Sequence, residues 1–275
     1  MESYIVIGDS LALVKPERKG PLYIISMTLY ESLAPLYDGL FPVDSRASPF
    51  LDALVIGEGR SRGLRALDAG CATGAHALGL AALGWTVVGI DSEPAMIGVA
   101  RERARREGLT ERVTFFEADI LAIEERFGNG SFDLVLCLGN TLPHLGASGA
   151  ASFLAQARRA LAPGGALVLQ TLNFSLPGIG LGYAFPEIAA GGAALRRSYR
   201  TPPGDHPASL RFIVELESEG RSQVGETLLT PLGPRRIGSL LGDAGFEPPI
   251  RRSGWDGRPF DEGRDLYCVT IAFMP

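Results

Sequence analysis

The chain is short of lysine, of cysteine and of uninterrupted apolar sequence. Lys15 and Lys19 are its only lysines, and arginine supplies the rest of the 26 basic residues set against 31 acidic ones. The formal net charge is −5 and no basic tail or patch stands out, which argues against a nucleic-acid backbone as partner. Cys71, Cys137 and Cys268 are odd in number, far apart, and set in or beside apolar runs. That excludes a disulfide framework and paired-cysteine metal spacing, so reduced core thiols and no metal are expected. There is no secretory apolar region, and the Gly/Ala-rich stretch 178–194 is broken by Pro186 and Glu187, too soon to cross a bilayer. These absences predict a soluble cytoplasmic protein without a membrane partner. What is abundant is apolar sequence, 46% of 275 residues, enough to fill a sizeable core.

From Leu64 onward, strand-like apolar runs at 64–69, 85–90, 112–117, 132–138 and 165–172 alternate with helix-like segments at 74–84, 94–107, 121–126 and 148–161. Apolar strands separated by helices predict a parallel sheet covered on both faces. The turn Ala162-Pro-Gly-Gly165 stops one helix and launches the fifth strand. Upstream, Leu29, Leu33, Leu36, Tyr37 and Leu40 recur at helical spacing over 28–40, and 49–57 reads as a second helix. Residues 1–26 form an extension that reads as a strand, a hairpin or an early start, ahead of a domain over 27–275. Within that domain the pattern changes at 174–232, where Leu210, Phe212, Val214 and Leu216 alternate with Arg211, Ile213, Glu215 and Glu217. Flanked by 195–200 and 223–230, this reads as an inserted antiparallel layer, a lid above the main sheet. A helix at 233–244 and strands near 246–255 and 265–273 are expected to finish a seven-stranded sheet as a reversed hairpin.

The chemistry concentrates at Ala66-Leu-Asp-Ala-Gly-Cys-Ala-Thr-Gly74, a strand ending in an acid, a glycine-bracketed turn and a helix start. Small residues there let the backbone approach a ligand, which the free N–H groups at the helix start would face. The next run, Trp85–Ile90, stops at Asp91, where a nucleotide-binding βαβ unit places its ribose carboxylate. A helix cap from Asp91 or Ser92 is the competing reading. Gly70 and Gly74 lack the middle glycine of a pyrophosphate loop, no Gly-Lys-Ser/Thr is present, and Asp68 would repel a phosphate while suiting an amino group. An NAD-dependent oxidoreductase is therefore disfavoured.

This segment resembles motif I of the class I S-adenosylmethionine (SAM) methyltransferases, and Val88-Gly-Ile-Asp91 resembles the acidic motif that follows it. The resemblance implies a Rossmann-like fold, SAM as cofactor, and cofactor contacts from Asp68, Gly70, Cys71, Ala72, Gly74, His76, Asp91 and Ser92. It implies Met96 against the adenine face and Asp119 with the Ile120 N–H at the adenine edge. Glu117 is the alternative to Asp119, core filling the alternative for Met96, and a structural role the alternative for His76. Cys137-Leu-Gly-Asn140-Thr-Leu-Pro-His144-Leu is similar to the equivalent phrase of glycine N-methyltransferase and related small-molecule enzymes. By that likeness the Leu138 and Gly139 carbonyls face the cofactor's amino group, Asn140 faces the transferred methyl, and His144 takes a proton. Asn140 could instead tie down a turn, and His144 could cap the next helix. Asn173, Arg197 and Arg211 are candidates for the acceptor, with Tyr30 and Tyr37 closing over the sulfonium or packing in the core. Asn173-Phe-Ser departs from the family phrase, which places glycine as substrate in doubt. The expectation is methyl transfer to a small polar molecule at nitrogen. The alternatives are an oxygen acceptor or a SAM-binding module without catalysis, and the sequence is compatible with a homodimer.

Overall fold

A computed structural model describes residues 5–7, 10–12, 27–57, 63–202, 204 and 208–275. Of the N-terminal extension it describes β1 (Ile5–Ile7) and β2 (Ser10–Ala12), an antiparallel pair. Lys15, Lys19 and His206 lie outside the described residues. The helix expected over 28–40 is broken into α1 (Met27–Leu33), a 3-10 turn (Ala34–Leu36) and α2 (Tyr37–Leu40). Pro35 is the cause, because its ring lacks an N–H and crowds the preceding turn. The helix α3 (Ala47–Gly57) leads to the main sheet.

Strands and helices then alternate as expected: β3 (Arg65–Ala69), α4 (Ala75–Ala82), β4 (Thr86–Asp91), α5 (Pro94–Arg106), β5 (Val113–Glu117), α6 (Ile123–Phe127), β6 (Phe132–Cys137), α7 (Gly146–Ala160) and β7 (Leu161–Leu172). The inserted sheet follows as β8 (Ile188–Ala190), β9 (Ala193–Arg200), β10 (Leu210–Ser218) and β11 (Arg221–Leu229). The chain closes with α8 (Pro234–Asp243), β12 (Ile250–Arg252) and β13 (Tyr267–Phe273).

The seven-stranded sheet has the order β12-β13-β7-β6-β3-β4-β5, with β13 antiparallel to both of its neighbours and the β7–β5 stretch parallel. Strand alternation explains its two cores. Ala66, Leu134, Leu136 and Val168 join the α3, α4 and α5 side, whereas Leu67, Val135, Cys137 and Leu167 join the α6, α7 and α8 side. Both sets are fully buried, so the strands are apolar throughout rather than alternating in polarity. The strand β12 is far shorter than the segment expected at 246–255, since Pro248 and Pro249 cannot donate to a ladder.

The second sheet is antiparallel, in the order β11-β10-β9-β8. Its buried Leu195, Val214 and Leu216 meet Leu29, Leu33 and Leu40 of the N-terminal helices in a separate apolar cluster with Met96. Residues 188–190 carry no alternation in the sequence, and β8 was not foreseen. Among the described residues no helix is long and apolar enough to cross a membrane.

Candidate active site

A cavity of about 1460 Å³ opens at the carboxyl ends of β3, β4 and β6, walled by α1, α2 and the inserted sheet. The chain reverses its strand order between β3 and β6, the place where open α/β sheets bind ligands. The volume exceeds the roughly 300–1,000 Å³ of a pocket for one small molecule, leaving room for two.

The loop after β3 spends its own amides on its shape. Gly70 and Cys71 N–H donate to the Ile90 carbonyl at 2.8 and 2.9 Å, and Gly74 N–H donates to Cys71 at 2.8 Å. Ala72 N–H donates to Asp91 Oδ2 at 2.8 Å, and Ala77 N–H donates to the Asp68 carboxylate. The amides of Gly70, Cys71, Ala72 and Gly74 are thus engaged within the protein, while Thr73, Ala75 and His76 line the cavity at the start of α4. Gly70, Cys71 and Ala72 line the cavity, but Gly74 does not. Gly74 has φ +77°, and a Cβ there would stand 2.5 Å from Phe115 Cζ, so its glycine serves packing.

Two carboxylates adjoin that loop, Asp68 buried and Asp91 half-buried. Asp68 is 2% exposed, its Oδ2 has no partner, and burial together with Asp91 pushes its carboxyl up to about 7. Burial also raises Asp91, whose Oδ1 accepts the Glu93 N–H at 3.0 Å. Asp91 therefore braces the turn and lines the cavity at once. Ser92 lines the cavity too, but the cap of α5 falls on Glu93 with no side-chain bond, against the capping reading of Ser92. Met96 lines the cavity and packs with Leu29 and Leu33.

Asp119 and Ile120 line the far wall and Glu117 does not. Asp119 also caps the turn that follows, accepting the Leu121 N–H at 2.8 Å. Leu138 and Gly139 line the cavity, but the Leu138 carbonyl accepts the Thr141 hydroxyl at 2.7 Å and its N–H at 3.3 Å. Its expected role toward an amino group is corrected accordingly. Gly139, at φ +66°, has open space where a Cβ would stand. Asn140 is on the cavity wall, yet its amide oxygen is engaged: Oδ1 accepts the Leu172 N–H at 2.8 Å.

His76 and His144 both line the cavity, and burial lowers each imidazole to about 4, so both are neutral at pH 7. His76 packs on Trp255 at 5.9 Å, and His144 on Phe212 at 6.0 Å. The helix after His144 has Leu145 as its N-cap residue. Tyr30 and Tyr37 line the roof; burial raises both phenols, Tyr37 to about 12, and both stay protonated.

Two acceptor candidates fall away. Asn173 is fully buried and outside the cavity lining: it donates to the Glu262 and Asp265 carbonyls at 2.8 and 2.9 Å and accepts the Ser175 N–H at 3.1 Å. It pins the end of β7 to the loop before β13. Arg211 is also outside the lining and pairs with Glu226 at 3.4 Å, because alternation along β10 gives the cavity Phe212 and Val214 instead. Arg197 is retained. Beside Leu195 and Tyr199 on β9, it lines the cavity with its guanidinium 5.2 Å from the Phe41 ring and 4.7 Å from the Phe185 ring. It has no ion pair among the described residues, its Nε is buried without a partner, and burial lowers its pKa. Tyr199, Phe185, Phe212, Trp255 and Tyr267 complete the wall and were not singled out from the sequence. The alternation of Leu195, Arg197 and Tyr199 was the available signal.

Residues 66–165 match the methyltransferase domain family. They are a methyltransferase domain. The resemblance read from 66–74 and 88–91 is borne out, and about 90% of the chain follows the fold of such enzymes. It is similar to SAM-bound CalS10, an amino pentose methyltransferase from Micromonospora echinaspora, at 26% identity and a TM-score of 0.62 over 90% of this chain and 97% of that one. A ubiquinone biosynthesis O-methyltransferase from Caulobacter sp. is 35% identical over 127 residues, 46% of this chain and 48% of its own. A glycine/sarcosine N-methyltransferase from Halorhodospira halochloris is 34% identical over 140 residues, 50% of this chain and 51% of its own. The chain thus spans about half the length of these curated relatives.

Proposed function

We propose that this chain is a SAM-dependent methyltransferase acting on a small polar acceptor, with the inserted sheet serving as its lid. The observation that carries the reading is the Asp91 carboxylate, fixed by two backbone N–H groups on the cavity wall beside the Gly70 turn. A buried acid and a half-buried one beside the Gly70 turn suit a cofactor that bears positive charge, and the partnerless Asp68 Oδ2 suits its ammonium group. The residues therefore fit SAM, which supplies an electrophilic methyl on a sulfonium when bound.

In this reading Asp91 accepts the ribose hydroxyls, and charge-assisted bonds make that the strongest single hold. Met96 and Ile120 cover the base while Asp119 accepts its amino group. The roof of Tyr30 and Tyr37 presents aromatic faces to the sulfonium and excludes water. Arg197 meets an anionic or polar group on the acceptor. The protein's remaining task is alignment. With its imidazole at about 4, His144 is a weak base, and the raised tyrosines hold their protons. No strong base is thereby placed at the acceptor end, which favours a nucleophile that brings its own lone pair, an amine nitrogen. Oxygen is the second reading, favoured by the ubiquinone relatives named as O-methyltransferases.

The test is label transfer from methyl-labelled SAM in a cell extract, with low- and high-mass fractions counted separately. Label in a small molecule is expected, and mass analysis of that product gives the methylated atom. Label in the macromolecular fraction, or SAM bound without transfer, overturns the proposal.

A further inference from the structure

The cavity wall carries one positive charge that nothing in the described protein answers. Of the three arginines on that wall, Arg46 is paired with Asp44 at 2.6 Å and Arg258 with Asp265 at 2.6 Å. The Arg197 guanidinium has no ion pair among the described residues, and its Nε is buried without a hydrogen-bond partner. A half-buried cation with no counter-ion costs free energy that a bound anion would return. Its neighbours nevertheless hold it in place. The Phe185 N–H donates to the Arg197 carbonyl at 2.9 Å, Val214 of β10 pairs with it across the strands, and the Phe41 and Phe185 rings stand 5.2 and 4.7 Å from the guanidinium.

The strand register decides what adjoins that charge. Val214 lies opposite Arg197 and Phe212 opposite Tyr199, so on the cavity face the guanidinium is bordered by Leu195, Tyr199, Phe212 and Val214. The Tyr199 and Phe212 rings are 5.5 Å apart between centroids. Such a wall is covered best by an apolar or ring-shaped body. The acids Asp68, Asp91 and Asp119 belong instead to the main sheet, at the ends of β3 and β4 and just past β5. Charge of opposite sign thus marks the two halves of the cavity.

We infer that the methyl acceptor is an organic anion whose carboxylate or phosphate group is bound by the Arg197 guanidinium, on a ring-bearing body that covers Tyr199, Phe212 and Val214. The inference rests on the methyl-transfer reading and narrows its acceptor class. The donor fork of a guanidinium matches two oxygens of either anion with parallel N–H···O bonds. An acceptor the size of glycine would reach the charge and leave the apolar wall bare. A neutral or cationic acceptor would leave Arg197 unanswered.

The test uses four probes. Benzoate and phenyl phosphate carry a ring with each anionic group, benzamide has the ring without the charge, and acetate the charge without the ring. Each is titrated by calorimetry into the full chain saturated with S-adenosylhomocysteine, the demethylated cofactor, and into Arg197→Gln saturated likewise. Benzoate or phenyl phosphate is expected to bind about tenfold or more tighter than benzamide and acetate, and to lose its margin over benzamide in the variant. The tighter of the two identifies the anionic group. Benzamide or acetate binding as tightly as both ring anions, no detectable binding of either ring anion, or a margin that survives in Arg197→Gln overturns the inference. So does a fall in S-adenosylhomocysteine affinity in a variant of unchanged thermal midpoint, which would give Arg197 to the cofactor's own carboxylate. Where the variant unfolds, the order of the four probes in wild type decides. In the label-transfer experiment, SAM bound without transfer overturns the methyl-transfer reading, whereas a labelled small molecule lacking carboxylate and phosphate overturns this inference alone.

Discussion

Between Gly70 and Glu93 the cavity wall is main chain and carboxylate: a turn closed on Ile90, a strand end at Asp91, and Asp68 buried behind both. Across from it, the wall from Phe185 to Phe212 is side chain, three aromatic rings, Leu195 and the Arg197 guanidinium. A backbone wall works only with a fixed spacing of small residues and acids, so one geometry serves one cofactor. A side-chain wall can be rewritten residue by residue on an unchanged sheet, which makes it the place where an acceptor is chosen.

The largest effect expected from breaking that contrast is on stability. Gly74→Ala places a Cβ on Phe115 at a residue with φ +77°. Strain and overpacking together are expected to cost about 2–4 kcal/mol, read as a lower midpoint in urea unfolding. An unchanged midpoint would mean that Gly74 is there for the ligand after all.

A smaller and more selective effect is expected on the opposite wall. Arg197→Leu removes the unpaired guanidinium while keeping apolar bulk between Phe41 and Phe185, and should raise the acceptor KM about tenfold or more with SAM affinity unchanged. Arg211→Ala, on the outer face with Glu226, should leave both constants within about twofold. Steady-state kinetics on the identified acceptor checks the pair. Equal losses in the two variants would show that the inserted sheet has no preferred face.

The same contrast explains what could be read in advance. The parallel sheet was legible because strands buried on both faces must be apolar runs, and the motif from Asp68 to Gly74 because its turn has one workable spacing. Asp119 was singled out for a similar reason: it follows the strand exit, and it is the one of the two acids that lines the cavity. The inserted sheet was legible as alternation along 210–216, but alternation gives two faces without saying which one meets the cavity. Arg211 and Arg197 were therefore equal candidates until the strands paired. Asn173 failed for another reason, since its partners Glu262 and Asp265 are remote in sequence and only the folded chain brings them to it. Tyr199 was missed because nothing local marks which tyrosine of a strand will be buried and still reach the cavity wall.

The most direct test of the whole account is calorimetric titration of SAM into wild type and Asp91→Ala. A backbone-braced carboxylate that holds a ribose predicts SAM binding weakened at least tenfold in the variant, on the scale of about 1.5–3 kcal/mol for charged hydrogen bonds, with the wild-type fold retained. Equal affinity in the two proteins would contradict the claim that the β3–β4 wall is the cofactor site.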